Sequence, residues 1–162
     1  MLFRSSFLGV GRSFLQALGN KIEGFVGINR YIPVFQGPLD TPHHKKFFDD
    51  AKARLAKIDP SGPLPDRYVQ SNYEAMNALK IGMEMSKFRG REDTMKLVEA
   101  LEGLEMKEGD DFPQGDKTLR REDHQAFVRE FIFEIKGGKP RIVETVSKEK
   151  TFFPPACKFA QA

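Results

Sequence analysis

Apolar positions along this chain change their period several times, and the changes mark out alternating helices and strands. Phe14, Leu15 and Leu18 share a helical face and run into Gly19-Asn20, a natural helix stop. The stretch from Ile22 to Tyr31, with Phe25, Val26 and Ile28 and then Ile32, has little polar interruption. It reads as a strand covered on both faces and ended by Pro33. Thr41-Pro42 supplies an N-cap and a first-turn proline, which predicts a helix to about Ile58 with Phe47, Phe48, Ala51, Leu55 and Ile58 along one side. Three prolines stiffen the connection from Asp59 to Pro65. Val69, Tyr73, Met76, Leu79 and Met83 then recur at helical spacing, predicting a long helix from about Asp66 to Phe88, stopped by Gly90. Met76, Met83 and Met85 read as its core side.

A shorter helix, Glu92 to Leu101, is predicted to face Met95, Val98 and Leu101 inward before Gly103 ends it. Beyond Leu104 the period drops to two. Gln125 to Ile135 sets Phe127, Phe131, Phe133 and Ile135 on one face, as in a strand with one buried side. Gly137-Gly138 makes a two-residue hairpin turn into Arg141 to Val146, and the tail, with Phe152-Phe153-Pro154-Pro155, reads as an extended strap.

Composition narrows the class. The 162 residues are 40% hydrophobic and 30% charged, enough apolar material for one packed domain and too much for a disordered chain. Lys and Arg number 26 against 23 Asp and Glu, and the two signs are interleaved, so the net charge of +3 is no argument for a nucleic-acid partner. The single Cys157 forms no intrachain disulfide. No apolar run approaches the ~20 residues of a membrane span. Met1 to Arg12 imitates an export signal, but its apolar run is short, rich in Ser and Gly and followed by no small-residue cleavage site, so no signal peptide is expected.

Candidate chemistry is sparse. His43 and His44 are adjacent at a helix start, where their side chains diverge by about 100° and do not share a metal. Asp123-His124 sets a carboxylate beside an imidazole without an assignable nucleophile. Asp49-Asp50 and Asp110-Asp111 read as solvated pairs, and Arg120 to Asp123 as a charged edge. Gly9-Val10-Gly11 lacks the last glycine of a dinucleotide loop and leaves open a tight turn that lets backbone approach a ligand or another strand. Tyr68, at the start of the long helix just after the proline-rich connection, is placed either to pack or to border a cleft. No catalytic group, metal or cofactor is expected.

One ordered set of motifs ties these segments together: Gly9-Val10-Gly11, Glu23-Gly24-Phe25-Val26, Tyr68 followed by Tyr73-Glu74-Ala75-Met76, Leu101-Glu102-Gly103, Arg121-Glu122-Asp123-His124-Gln125, and Pro154-Pro155-Ala156-Cys157. In this order they resemble the C-terminal part of the branched-chain amino-acid-type solute-binding proteins of ATP-binding-cassette (ABC) importers. The likeness runs over nearly the whole chain. It implies an incomplete type I periplasmic-binding-protein fold of α/β class, a parallel sheet flanked by helices with a C-terminal β-hairpin. Residues 1–162 would contribute elements to both lobes of a two-lobed protein, the front of the first lobe being absent. Strand edges and apolar helix faces would then be left uncovered, giving a marginally stable or aggregation-prone chain.

The resemblance also implies a function. Such proteins are not enzymes; they trap a small solute outside the cytoplasmic membrane by hinge closure and present the closed form to a permease. Gly9, Val10 and Gly11 would border the solute cleft and Tyr68 would touch solute. Leu8 stands where an acidic residue would hold an α-ammonium group, which favours an aromatic or aliphatic acid or an amide over an ordinary amino acid. The alternatives are a ligand-sensing regulatory or receptor domain of the same fold, and an α/β enzyme built on Asp123 and His124 with a compact pocket around the imidazole.

Overall fold

The computed structural model describes residues 17–60 and 64–155. Their regular elements are three helices, α1 (Pro42–Ile58), α2 (Arg67–Ser86) and α3 (Thr94–Leu101), and six strands, β1 (Val26–Asn29), β2 (Glu105–Met106), β3 (Lys117–Leu119), β4 (Ala126–Val128), β5 (Glu130–Lys136) and β6 (Lys139–Val146). The strands form two three-stranded sheets, ordered β1-β5-β6 and β2-β3-β4. Every strand pair in both is antiparallel, which overturns the expected parallel sheet. That expectation comes from the resemblance, and the reading of β1 as a strand covered on both faces agrees with it. Instead β1 is a short edge strand that alternates exposed and buried residues, with Val26 40% exposed, and pairs with β5 from the far end of the chain.

The first core sits on the β1-β5-β6 sheet. Ile22, Ile32, Leu39, Phe131, Phe133 and Ile135 form one buried cluster, with Phe25 and Ile142 packed against it. Each such side chain contributes roughly 1.5–3 kcal/mol by leaving water. The predicted single strand from Gln125 to Ile135 is two strands, β4 and β5, each in a different sheet. Arg129 lies between them. Gly137 and Gly138, at φ 59° and 71°, close the β5–β6 hairpin as expected, because both turn residues need the left-handed region that glycine enters without cost.

Helix α1 starts where the sequence predicts. Thr41 accepts a hydrogen bond from the His44 amide at 3.1 Å, and Phe47 and Phe48 are buried, while Ile58 lies exposed in the last turn. His44 is not the solvated helix-start residue that its position suggests. It is fully buried, with Nδ1 2.5 Å from the Leu39 carbonyl and Nε2 2.8 Å from the Tyr31 hydroxyl. A carbonyl only accepts, so Nδ1 carries the proton and Nε2 accepts from Tyr31, which is the neutral tautomer. Burial pushes the Tyr31 hydroxyl well above its ordinary range, keeping it a donor, and pushes His44 down.

A measurable pH dependence follows. The folded state refuses the proton that the unfolded chain takes up below about pH 6.5, so His44 supports the fold above that pH and loses this contribution as pH falls toward its depressed folded value. Unfolding free energies recorded from pH 7.5 to 5 should fall below about pH 6.5 with a limiting slope of about 1.4 kcal/mol per pH unit. His44→Gln, which keeps an acceptor for Tyr31, should flatten that limb; an unchanged slope would assign it to another group.

Helix α2 reverses the face read from its sequence. Asp66 caps it, accepting from the Tyr68 and Val69 amides at 2.9 and 3.1 Å. Its last turn is ended by Lys87 at φ 52°, three residues before Gly90. Gln70, Glu74 and Gly82 are its buried residues, whereas Tyr73, Met76, Leu79, Met83 and Met85 are exposed, Met76 by 65%. Helix α3 packs on the inner side, so closely that a Cβ on Gly82 would lie 2.7 Å from Leu101 Cδ2. Val98 and Leu101 are half-buried there, but Met95, expected inward, is exposed.

The tail folds back as a strap. Phe152 stacks on Phe127 with centroids 4.3 Å apart, and Phe153 meets the same ring edge-on at 5.4 Å. Arg120 lies over both Phe127 and Phe153 and donates to the Phe153 carbonyl.

Candidate functional site

The inner face of α2, the end of β1, the loop 107–116 and the face of the β2-β3-β4 sheet enclose a cleft of about 750 Å³. This lies within the range of small-molecule sites. Its walls are polar toward the N-terminal half of α2, with Arg67, Gln70, Ser71 and Glu74, and apolar toward the other half, with Ala75, Ala78, Leu79 and Leu101. Met106, Leu119, Ala126 and Val128 continue the apolar wall from the sheet. Small residues at 75, 78 and 82 allow this approach, since each larger side chain there would fill the trough or push α3 away.

A buried polar network forms the floor. The Glu74 carboxylate, almost fully buried, accepts from the Gln114 amide at 3.0 Å, from the Gln70 side-chain amide, and from the Lys117 ammonium at 3.0 Å. Lys117 also donates to the Gln114 side-chain oxygen at 2.9 Å and the Gly115 carbonyl at 2.8 Å. All three ammonium protons are therefore spent. Gln114 donates in turn to the carbonyls of Arg30 and Arg129, at 2.8 and 2.9 Å. Burial pushes Glu74 up and Lys117 down, and each opposes the other's shift through the ion pair. The network saturates both charges inside the wall, where an unpaired one would cost several kcal/mol.

The Asn29 side chain stands apart from this network. Asn29, 3% exposed, lines the cleft at the end of β1, and its Oδ1 accepts from the Tyr31 amide at 3.4 Å. Its Nδ2 has no hydrogen-bond partner among the described residues. Since the donor at Tyr31 fixes which end of the amide is oxygen, the vacant group is an N–H₂ donor.

Tyr68 stands on the rim of this cleft, 60% exposed, on the first turn of α2. Arg67 covers its ring at 4.6 Å and donates to its hydroxyl at 2.6 Å. Gly9, Val10 and Gly11 lie outside the described residues, as does Cys157. His43 is an exposed partner of Asp110 at 2.6 Å, far from a shared site with the buried His44. Asp123 is gripped by two nitrogens of Arg120, at 2.8 and 2.5 Å, and His124 faces Glu102 at 2.9 Å. The described cleft is lined by neither of them. Among the described residues, no three His, Cys, Asp or Glu side chains group to hold a metal, and no helix is long and apolar enough to cross a membrane.

Glu74, Lys117, Gln114 and Asn29 were not singled out from the sequence as site residues. A usable signal was present: Gln70, Glu74, Ala78 and Gly82 form an i, i+4 row of polar and small residues opposite the methionines. A row of that kind marks a close, hydrogen-bonded helix face.

No protein-family model and no curated protein matches the sequence. Solved structures do match. An ABC-type branched-chain amino acid transporter from Rhodopseudomonas palustris superposes with a TM-score of 0.64 at 22% identity, over 87% of this chain and 35% of that one. A solute-binding protein of an ABC transporter from the same species, in complex with p-hydroxybenzoic acid, gives 0.67 at 19% identity, over 86% and 35%. The closed leucine-, isoleucine-, valine-, threonine- and alanine-binding protein from Brucella ovis gives 0.64 at 17%, over 86% and 35%. This chain shares its fold with one part of the ABC-transporter solute-binding proteins. It spans about a third of the length of each of these structures. Those named for a ligand are binding proteins, for amino acids in one case and a hydroxybenzoate in the other.

Proposed function

We propose that this chain is the C-terminal portion of an extracytoplasmic solute-binding component of an ABC importer, acting without bond-making on branched-chain amino acids or related small carboxylates and amides. The observation that carries this reading is a solute-sized cleft with Tyr68 on its rim, in a chain folded like part of such binding proteins. Tyr68 offers an aromatic face and a hydroxyl to solute, and Gly9, Val10 and Gly11 are proposed as further residues of the solute site. Solute favours the closed arrangement because only that arrangement contacts it from both sides, and a permease reads the population so shifted. The partners are thus a small solute and a permease; no nucleic acid and no cofactor is involved.

A chain that spans about a third of its structural relatives is expected to bind weakly. Titrating the isotopically labelled protein with leucine and with 4-hydroxybenzoate should shift amide resonances of Tyr68, Ser71, Ala78 and Lys117, with a Kd on the order of 1 mM, about 4 kcal/mol of binding. Tyr68→Ala should weaken the binding by ~1–3 kcal/mol through loss of the hydroxyl and ring contacts. No cleft resonance moving with either compound at tens of millimolar would remove the solute-binding reading.

A further inference from the structure

We propose that the outer edge of β6 is a self-pairing site for a second copy of this chain, and that the Gln36 side chain holds it closed. This goes beyond the solute-binding reading and does not rest on it. Strand β6, 8 residues long, ends the β1-β5-β6 sheet, so among the described residues it has a strand neighbour on one side only. In a hairpin closed by two residues the facing pairs alternate. Lys136 with Lys139 and Glu134 with Arg141 exchange bonds, while Pro140 and Ile142 turn their backbone groups away from β5. Pro140 has no N–H to offer there. Val143 is the extra residue of a bulge and lies opposite no residue of β5. Ile142 thus carries the outward-facing donor and acceptor of this half of the strand.

Gln36 occupies both. Its Nε2 donates to the Ile142 carbonyl and its Oε1 accepts from the Ile142 amide, each at 3.1 Å, across 106 residues of sequence. The backbone N–H only donates and the carbonyl only accepts, which fixes the orientation of the Gln36 amide. Bonded in this way, the side chain does what one peptide of an adjoining strand would do. A second copy offers the same pair of groups. With Ile142 on a two-fold axis, antiparallel strands exchange N–H···O bonds in both directions between the two Ile142 residues. Counted outward from that axis, Arg141 faces Val143 and Lys139 faces Thr145, so no like charges meet. While Gln36 is in place the pairing trades two bonds for two and adds the cost of association, so it gains nothing.

Gln36→Leu keeps the bulk of the side chain and removes both bonds. Sedimentation velocity from about 10 μM to about 1 mM, the range expected of a short strand pairing, should show the variant gaining dimer over the unsubstituted chain. Isotope-filtered NMR on a half-labelled mixture of the variant should place β6 of one copy against β6 of the other, with no such contacts in the unsubstituted chain. At about 10 μM, where the variant is still monomeric, its Ile142 amide should exchange about tenfold faster than in the unsubstituted chain, and raising the concentration should restore the protection. No more dimer in Gln36→Leu than in the unsubstituted chain, a dimer without β6 contacts, or the same β6 contacts with Gln36 present overturns the proposal. Should Gln36→Leu not fold, the unsubstituted chain decides. An Ile142 amide protected to the same degree at both concentrations supports the guard, and one that exchanges freely, or gains protection with concentration, overturns it.

Discussion

Lys117→Met is expected to cost about 3–5 kcal/mol, enough to unfold much of the chain at 37 °C, because it leaves the Glu74 carboxylate buried without its counter-charge. The loss should depend on pH with a definite sign. Burial already pushes Glu74 up, and without Lys117 nothing offsets that push except the bonds from Gln70 and Gln114. A carboxyl whose folded value is raised supports the fold fully below its unfolded value, about 4.3, and loses that contribution as pH rises through the folded value. The variant should therefore recover toward pH 4, where the neutral acid is tolerated, and worsen toward neutrality. Glu74→Leu combined with Lys117→Met should restore most of the loss, since a packed apolar pair replaces a buried ion pair at little cost. What stays lost is the acceptor for the Gln114 amide, roughly 1–3 kcal/mol. Urea melts of the four proteins at pH 4.5 and 7.5 form the double-mutant cycle. Additive losses at both pH values would show that the two charges do not support one another.

Local signals in the sequence were faithful, and long-range ones were not. Thr41-Pro42 opens α1, Asp66 caps α2, and Gly137-Gly138 turns the β5–β6 hairpin, all because a cap or turn depends on neighbours a few residues away. The orientation of α2 depends instead on what lies across from it. Two rows of its surface compete for the interior: Val69, Tyr73, Met76 and Met83 on one side, and Gln70, Glu74, Ala78 and Gly82 on the other. Hydrophobicity alone ranks the first row higher. The second row is buried because Lys117, forty-three residues beyond Glu74, supplies the charge that Glu74 needs, and Gly82 lets Leu101 approach. The methionine row stays uncovered in a chain that spans about a third of its structural relatives. Strand direction failed for a related reason. A short apolar run gives no sign of its partner, and β1 pairs with β5, a hundred residues later in the chain. Tyr68, read from the sequence as either packing or bordering a cleft, lines this one, and its contact with solute is a proposal.

Arg129→Met and Gly115→Ala are expected to fail in the same way, although one removes a large side chain and the other adds a single methyl. Arg129 ties the loop 107–116 to the point where the chain passes from one sheet to the other. Its Nε donates to the Gln114 carbonyl at 2.7 Å, and its Nη2 donates to the Pro38 carbonyl and the Glu108 carboxylate, both at 3.1 Å. Removing it strands three partly buried acceptors, each worth about 1 kcal/mol or more, so a loss of about 3 kcal/mol is expected. Gly115 sits at φ 129°, where a side chain is strained, and a Cβ there would lie 2.6 Å from the Arg129 guanidinium carbon. Gly115→Ala thus displaces the same guanidinium, at a similar cost of about 3 kcal/mol. The consequence reaches the cleft, because Gln114 and Phe112 on this loop form part of its wall and Gln114 holds Lys117. In hydrogen exchange, both variants should lose protection at the Gln114 amide and at Lys117 to Leu119 before the β5–β6 hairpin opens. Combining them should cost little more than either alone, since the same guanidinium contacts are lost in each. Full additivity would mean that the glycine acts on the backbone alone and that the staple is not what shapes this wall.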